Sequence, residues 1–156
     1  IAAVEGASEQ QKKDYENCDK DTSYYIKEYL RKNSLEFDED VIEYIEEQCS
    51  PIVRHFKNNF NRPRPYQVAD LYNKELNRFK TWTAKTPSYP SGHAMQPMVV
   101  ALHYAKKYPE HKNEMVRGAK ICGYGRVIAG LHYPSDYDAG IELAHKLMDF
   151  MNYDKF

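Results

Sequence analysis

The sequence contains little of what several common functions require. It has three cysteines and no C-x2-C pair, so a zinc ribbon is not expected. Its longest apolar stretches, near residues 98–102 and 127–131, are far too short to span a bilayer. The formal net charge is −1, which argues against a general nucleic-acid or anionic-membrane binder. We therefore expect a soluble globular protein whose 156 residues bury one hydrophobic core.

The N-terminal residues and the cysteines limit the cellular location only weakly. The chain does not open with a charged start, an apolar run and a small-residue cleavage site, but Ile1 is not a methionine, so a removed leader remains open. Periplasmic, secreted and cytoplasmic locations remain open, as does the oligomeric state, a homo-oligomer included. Cys122 lies in an apolar helical pattern and is expected to be a buried thiol. The sequence does not decide whether Cys18 and Cys49 form a disulfide or remain free thiols.

The pattern of apolar residues predicts an all-α fold. No run shows the period-2 alternation of a strand, whereas helical periodicity is frequent. It predicts helices over residues 8–19, 22–32, 39–60, 91–108, 112–131 and 134–151, and a short one near 68–72. Without repeats or low-complexity tracts, the chain is expected to form one domain, with residues 1–35 as a helical extension of a core at residues 36–156.

Ser91, Gly92 and His93 form the first segment that suggests chemistry. Ser91 is a good N-cap for the helix that follows, and the free N–H groups of a helix start attract anions. Gly92 lets the backbone approach an oxyanion without a Cβ in the way. His93 would then project from the first turn, beside the anion.

Three cations and one His–Asp pair complete the set. Lys57 lies near the end of a predicted helix, and Arg64 lies after it in a segment that prolines stiffen. Arg126 lies farther along the chain. An arginine fork can hold two phosphate oxygens, and a lysine supplies a compact charge. His132 and Asp136 are four residues apart, so the carboxylate can accept the Nδ1 proton and leave Nε2 free. Arg62 and Lys85 are candidates for the mouth of such a site.

Together, these segments resemble the signature of the type 2 phosphatidic acid phosphatase (PAP2) superfamily. This superfamily includes membrane lipid phosphatases, soluble bacterial class A acid phosphatases and vanadium haloperoxidases. The resemblance covers roughly residues 57–140. The matching segments are Lys57-x6-Arg64-Pro65, Pro90-Ser91-Gly92-His93 and Arg126-x5-His132-x3-Asp136. One departure is Gly125, where the family usually has serine; it removes a hydroxyl but no charge.

The resemblance implies a helical bundle and a phosphatase that needs no metal or cofactor. His132 would attack phosphorus to form a phosphohistidine, His93 would act as general acid and base, and Asp136 would orient His132. Lys57, Arg64, Ser91, Gly92 and Arg126 would hold the phosphate oxygens. The expected partner is a small phosphorylated substrate rather than a nucleic acid, and vanadate is expected to inhibit.

Two alternatives remain beside this interpretation. The first is a vanadium haloperoxidase that would hold vanadate in the same site, although known examples are much longer chains. The second is a phosphate-binding module without catalysis, although every charged position of the signature is filled. The sequence does not identify the leaving group, which a metabolite, a nucleotide or a lipid headgroup could supply.

Overall fold

The structure, a computed structural model, describes residues 1–153, and these form helices and loops with no β-strand. The all-α class predicted from periodicity is therefore confirmed. The helices are α1 (Ala2–Glu5), α2 (Glu9–Lys20), α3 (Tyr24–Lys32), α4 (Glu39–Phe60), α5 (Pro65–Leu71), α6 (Gly92–Lys107), α7 (Lys112–Ile128) and α8 (Pro134–Tyr153), with a 3-10 turn at Pro109–His111.

Local sequence explains several helix boundaries. The hydroxyl of Ser8 accepts a hydrogen bond from the N–H of Gln11 at 3.1 Å and caps α2. The carboxylate of Asp38 caps α4 in the same way, through the N–H of Asp40 at 2.9 Å. α7 ends before its predicted limit because Gly130 adopts a φ of +75°, which helix geometry does not allow. The four residues of α1 were not predicted, since so short a helix shows no periodicity.

The hydrophobic core surrounds α6, which packs against α3, α4, α7 and α8. Each of the five helices contributes fully or largely buried side chains, among them Leu30, Ile42, Met98, Met115 and Met148. Burying such a side chain contributes about 1.5–3 kcal/mol. Among the described residues, no helix combines the length and apolar composition needed to cross a membrane.

Two glycines allow the start of α6 to lie close to its neighbours. A Cβ on Gly123 in α7 would lie 2.9 Å from the Cα of Ala94, a distance that real contacts do not show. A Cβ on Gly140 in α8 would lie 2.5 Å from the carbonyl oxygen of Ser91. The first turn of α6, which carries His93, is therefore held tightly between α7 and α8.

The cysteine pairing differs from the prediction. Cys18 in α2 and Cys122 in α7 form a disulfide with their Cα atoms 5.3 Å apart, and Cys49 is a buried free thiol. The expectations that Cys122 is a thiol and that Cys18 might pair with Cys49 were wrong. The physical reason is tertiary: α2 packs across α7, whereas Cys49 lies in α4 on the other side of the core.

Candidate active site

The first signature segment lies where α4 ends. Asn61 adopts a left-handed conformation with a φ of 43°, so the chain turns out of the helix directly after the turn that carries Lys57. The ammonium of Lys57 is buried and donates to the carbonyl oxygen of Pro87. Arg64 is also buried, and its Nε donates to the carbonyl oxygen of Thr86 at 2.9 Å. Both cations therefore lie against the loop that precedes α6.

The second segment forms the start of α6. Ser91 is the N-cap residue and is fully buried, but its hydroxyl makes no capping hydrogen bond. Its N–H donates to the carbonyl oxygen of Asp136 at 2.9 Å, which ties this segment to the third one. A Cβ on Gly92 would meet Val53 Cγ1 at 3.6 Å, an ordinary contact. Packing alone does not require a glycine there, and its role toward a ligand stays a prediction.

The third segment spans the end of α7 and the start of α8. His132 and Asp136 are both buried, and His132 Nδ1 lies 3.2 Å from Asp136 Oδ2. On the opposite side of the ring, Arg64 Nη1 lies 3.2 Å from His132 Nε2. A guanidinium can only donate and a carboxylate can only accept, so both contacts specify the same tautomer. His132 carries its proton on Nδ1 and a lone pair on Nε2.

Asp136 accepts further hydrogen bonds from groups outside the signature. Its Oδ2 accepts from the hydroxyl of Ser88 and from the N–H of Tyr133, the latter at 2.9 Å. Its Oδ1 accepts from Arg62 Nη1 at 2.7 Å. Arg62, a candidate for the mouth of the site, thus contacts the carboxylate of the His–Asp pair, and its own side chain is 38% exposed. No local sequence signal indicates the role of Ser88.

Burial and neighbouring charges lower the pKa values of Lys57 and Arg64. Burial, followed by the charge of Arg64, lowers the pKa of Lys57 to about 7. Burial, followed by the charge of Arg126, lowers the pKa of Arg64 to about 10. Without a bound anion, Lys57 is therefore only partly charged at neutral pH, whereas Arg64 is charged.

Both histidines are neutral in the ligand-free protein. Burial, partly opposed by the hydrogen bond with Asp136, lowers the pKa of His132 to about 4. The pKa of His93 lies well below its ordinary value because of burial and then the charges of Arg126, His132, Arg64 and Lys57. Burial alone would raise the pKa of Asp136, but its hydrogen bonds hold this pKa well below the usual range. The contact of Arg64 with His132 and the hydrogen bond from the N–H of Ser91 to the carbonyl oxygen of Asp136 bring the three segments together.

Three of the candidate site residues carry a buried polar atom without a partner. Within residues 1–151, three buried side-chain nitrogen or oxygen atoms lack a hydrogen-bond partner: Ser91 Oγ, His93 Nε2 and Arg126 Nε. Buried polar groups normally have partners, so each of these atoms needs an explanation. All three belong to the residues predicted to bind or protonate a phosphate group.

The fold and this site define a class: an all-α protein with a buried histidine site rich in cations. The chain belongs to the PAP2 superfamily, because the model of that family matches residues 49–145. The recognition made from the three sequence segments is thereby confirmed.

Similar proteins of known name agree with this assignment. An acid phosphatase of Zymomonas mobilis subsp. mobilis is 37% identical over 89 residues, which are 56% of this chain and 33% of that protein. A non-specific acid phosphatase of Providencia stuartii is 31% identical over 111 residues, 69% of this chain and 43% of that protein. The chain thus spans less than half of the length of these relatives.

A solved structure shows the same fold. The crystal structure of a transmembrane PAP2 type phosphatidylglycerolphosphate phosphatase from Bacillus subtilis superposes with a TM-score of 0.53 at 20% identity. The match covers 98% of this chain and 73% of the other. At this identity the similarity concerns the fold alone.

Proposed function

We propose that this chain is a metal-independent phosphatase that hydrolyses phosphomonoesters through a phosphohistidine on His132. The observation that carries the proposal is the hydrogen bonding of His132, which leaves the lone pair on Nε2 and the proton on Nδ1. A neutral imidazole with this tautomer is a competent nucleophile. Membership in the PAP2 superfamily and the similarity to acid phosphatases support the proposed reaction class.

In the first step, the Nε2 lone pair of His132 forms a bond to phosphorus while the bond to the leaving oxygen breaks. Arg64 Nη1, which contacts Nε2 in the free protein, turns to a phosphate oxygen. The phosphorylated ring keeps its Nδ1 proton and gains positive charge. The carboxylate of Asp136 stabilises this charge from 3.2 Å.

Protonation of the leaving group requires a proton on His93. The ligand-free protein holds His93 neutral, because burial and the surrounding cations lower its pKa. A phosphate group bound among these residues brings negative charge and raises this pKa again. A substrate monoanion can therefore deliver the proton to Nε2 of His93, which passes it to the leaving alkoxide. In the second step, His93 accepts a proton from water, whose oxygen attacks phosphorus and releases inorganic phosphate and His132.

The remaining site residues hold the equatorial phosphate oxygens. Lys57, Arg64 and Arg126 supply positive charge, and Ser91 and the N–H of Gly92 supply hydrogen bonds. Within the described residues, no group of three His, Cys, Asp or Glu side chains is arranged to hold a metal ion. The proposal therefore assigns charge stabilisation to these cations.

A rapid-quench experiment with His93→Ala tests the mechanism. Para-nitrophenyl phosphate has a good leaving group, so this variant should release about one equivalent of nitrophenol rapidly and then stall, because hydrolysis lacks its base. Mass spectrometry should find the phosphate on His132, and His132→Ala should show neither burst nor phosphate. Phosphate binding without any release of nitrophenol by the wild type would favour a non-catalytic module. Peroxide- and vanadate-dependent halide oxidation would favour a haloperoxidase.

A further inference from the structure

The N-terminal helix α2 lies outside residues 49–145, which the family model matches, yet it reaches the site. Asp19, near the C-terminal end of α2, forms a buried ion pair with Arg126 Nη1. The side chains are 6% and 1% exposed. Nothing in the sequence pattern of α2 indicated this contact, which joins residues 107 positions apart.

The contacts of Arg126 hold its two terminal nitrogens and leave the third nitrogen unpartnered. Nη1 donates to Asp19, while Nη2 donates to Thr83 Oγ1 at 2.8 Å and lies 3.3 Å from Thr81 Oγ1. The ring of Tyr15 lies beside the guanidinium, 5.5 Å from its central carbon. Nε is the atom without a protein partner. The two terminal nitrogens of the guanidinium are thus held in place. Because the guanidinium is planar, the direction of its Nε–H bond is fixed as well.

Asp19 is itself held in place. Its Oδ1 accepts from Thr81 Oγ1 at 2.7 Å, and its Oδ2 accepts from the N–H of Trp82 at 3.2 Å. Charge-assisted hydrogen bonds of this kind are stronger than neutral ones and restrict the rotation of both partners. Because these partners fix the position of the Asp19 carboxylate, the carboxylate determines the orientation of the Arg126 guanidinium.

A covalent tie lies next to this ion pair. Cys18, which precedes Asp19, forms the disulfide with Cys122. Cys122 lies four residues before Arg126, about one helical turn along α7. The disulfide therefore holds the backbone of α2 against α7 at the position where Asp19 meets Arg126.

We propose that Asp19 is a positioning residue that orients Arg126 Nε toward the phosphate group in the transition state. This inference rests on the proposed phosphatase function. Asp19 also places a negative charge near the bound phosphate, which weakens ground-state binding of a dianion. Asp19 is therefore expected to weaken the binding of inorganic phosphate and to raise kcat, because it holds the Arg126 donor in the orientation that the transition state needs.

The substitution Asp19→Asn keeps the shape and removes the charge. We expect kcat to fall roughly tenfold, less than the 10²–10³ expected for loss of a whole oxyanion donor. We also expect inorganic phosphate to bind about three to ten times more tightly. Glu16→Gln removes the same charge from an exposed position of the same helix and should change neither value by more than about twofold.

A double-mutant cycle on kcat tests whether Asp19 acts through Arg126. In the Arg126→Ala background, Asp19→Asn should leave kcat unchanged within about twofold, because the residue to be oriented is gone. An equal loss of kcat in both backgrounds would overturn the proposal. So would an unchanged kcat in the single variant, or a loss of kcat together with weaker phosphate binding, as general damage to the fold would cause.

Wild-type turnover separates this inference from the proposed function. If the wild type binds inorganic phosphate in calorimetry but hydrolyses no ester, the phosphatase proposal fails, and the inference fails with it because it concerns turnover. If the wild type hydrolyses esters, the phosphatase proposal stands, and the kcat of Asp19→Asn together with the double-mutant cycle decides the inference.

Discussion

Replacing Lys57 with arginine should change the pH dependence of the enzyme in a defined way. Lys57 is buried at the end of α4, and burial with the nearby Arg64 lowers its pKa to about 7. Above this pH the ligand-free protein loses one of the charges proposed to bind phosphate. An arginine stays protonated throughout the accessible range, so Lys57→Arg retains the charge although its geometry differs.

The expected slope of kcat/KM against pH follows from the number of groups that must keep a proton. kcat/KM reports the ionisation of the free enzyme and the free substrate. Above about pH 7 the charged fraction of Lys57 falls tenfold per pH unit. The substrate monoanion, which carries the proton that His93 lacks, also falls tenfold per unit above a second phosphate pKa of about 6. The wild type should therefore lose kcat/KM about 100-fold per pH unit above pH 7, and Lys57→Arg only about tenfold per unit.

The assay is the initial rate with a phosphomonoester, followed from about pH 3.5 to pH 9. On the acid side, kcat/KM should fall below about pH 4 in both proteins, because His132 then becomes protonated and loses its lone pair. Lys85→Arg, an exposed lysine of the loop before α6, is the matched control and should keep the wild-type slope. An equal alkaline slope in wild type and Lys57→Arg would refute the assignment, as would a wild-type kcat/KM that stays constant from pH 7 to pH 9.

Three further outcomes are expected. Asp136→Asn should lower kcat by on the order of 10²–10³ with a phosphate inhibition constant close to wild type, because the charge that stabilises the phosphorylated His132 is lost; an unchanged kcat would contradict this. Replacing both Cys18 and Cys122 with serine opens a loop of 104 residues and should lower the free energy of unfolding by about 2–4 kcal/mol, measured by urea denaturation with Cys49→Ser as the comparison. Vanadate should inhibit competitively while prolonged dialysis against EDTA leaves the rate unchanged; loss of activity that zinc or magnesium restores would contradict metal independence.

Much of the fold could be predicted because helix formation depends on neighbouring residues. α4 was predicted with its observed limits, since Asp38 caps its start and the proline-containing segment after residue 60 ends it. The candidate site residues could be named for a related reason. Each signature segment is short and contiguous, so Lys57, His93 and His132 could be recognised without knowing the tertiary structure.

The supporting residues could not be predicted, because their roles arise only from tertiary contacts. Cys18 and Cys122 are 104 residues apart, and Arg62 and Asp136 are 74 apart. No spacing rule connects residues at such distances. The wrong expectation for the cysteines had this origin, since local pattern placed Cys122 in a helix but not α2 beside it.

Asp136 makes hydrogen bonds to residues in or beside all three signature segments. The choice of substitution that tests its role therefore depends on these hydrogen bonds. Its carboxylate accepts from Arg62 of the first segment's loop and from Ser88, which precedes the second segment. Its backbone carbonyl accepts from the N–H of Ser91, and its Oδ2 holds the tautomer of His132. Alanine would remove these side-chain acceptors together and leave buried donors unpaired, so folding and catalysis would fail at once. Asparagine keeps one carbonyl oxygen for Oδ2, and its amide nitrogen faces Arg62, which is 38% exposed and can turn to solvent. The histidine tautomer is then retained while the negative charge and the hydrogen bond from Arg62 are lost, so Asp136→Asn measures these two losses together.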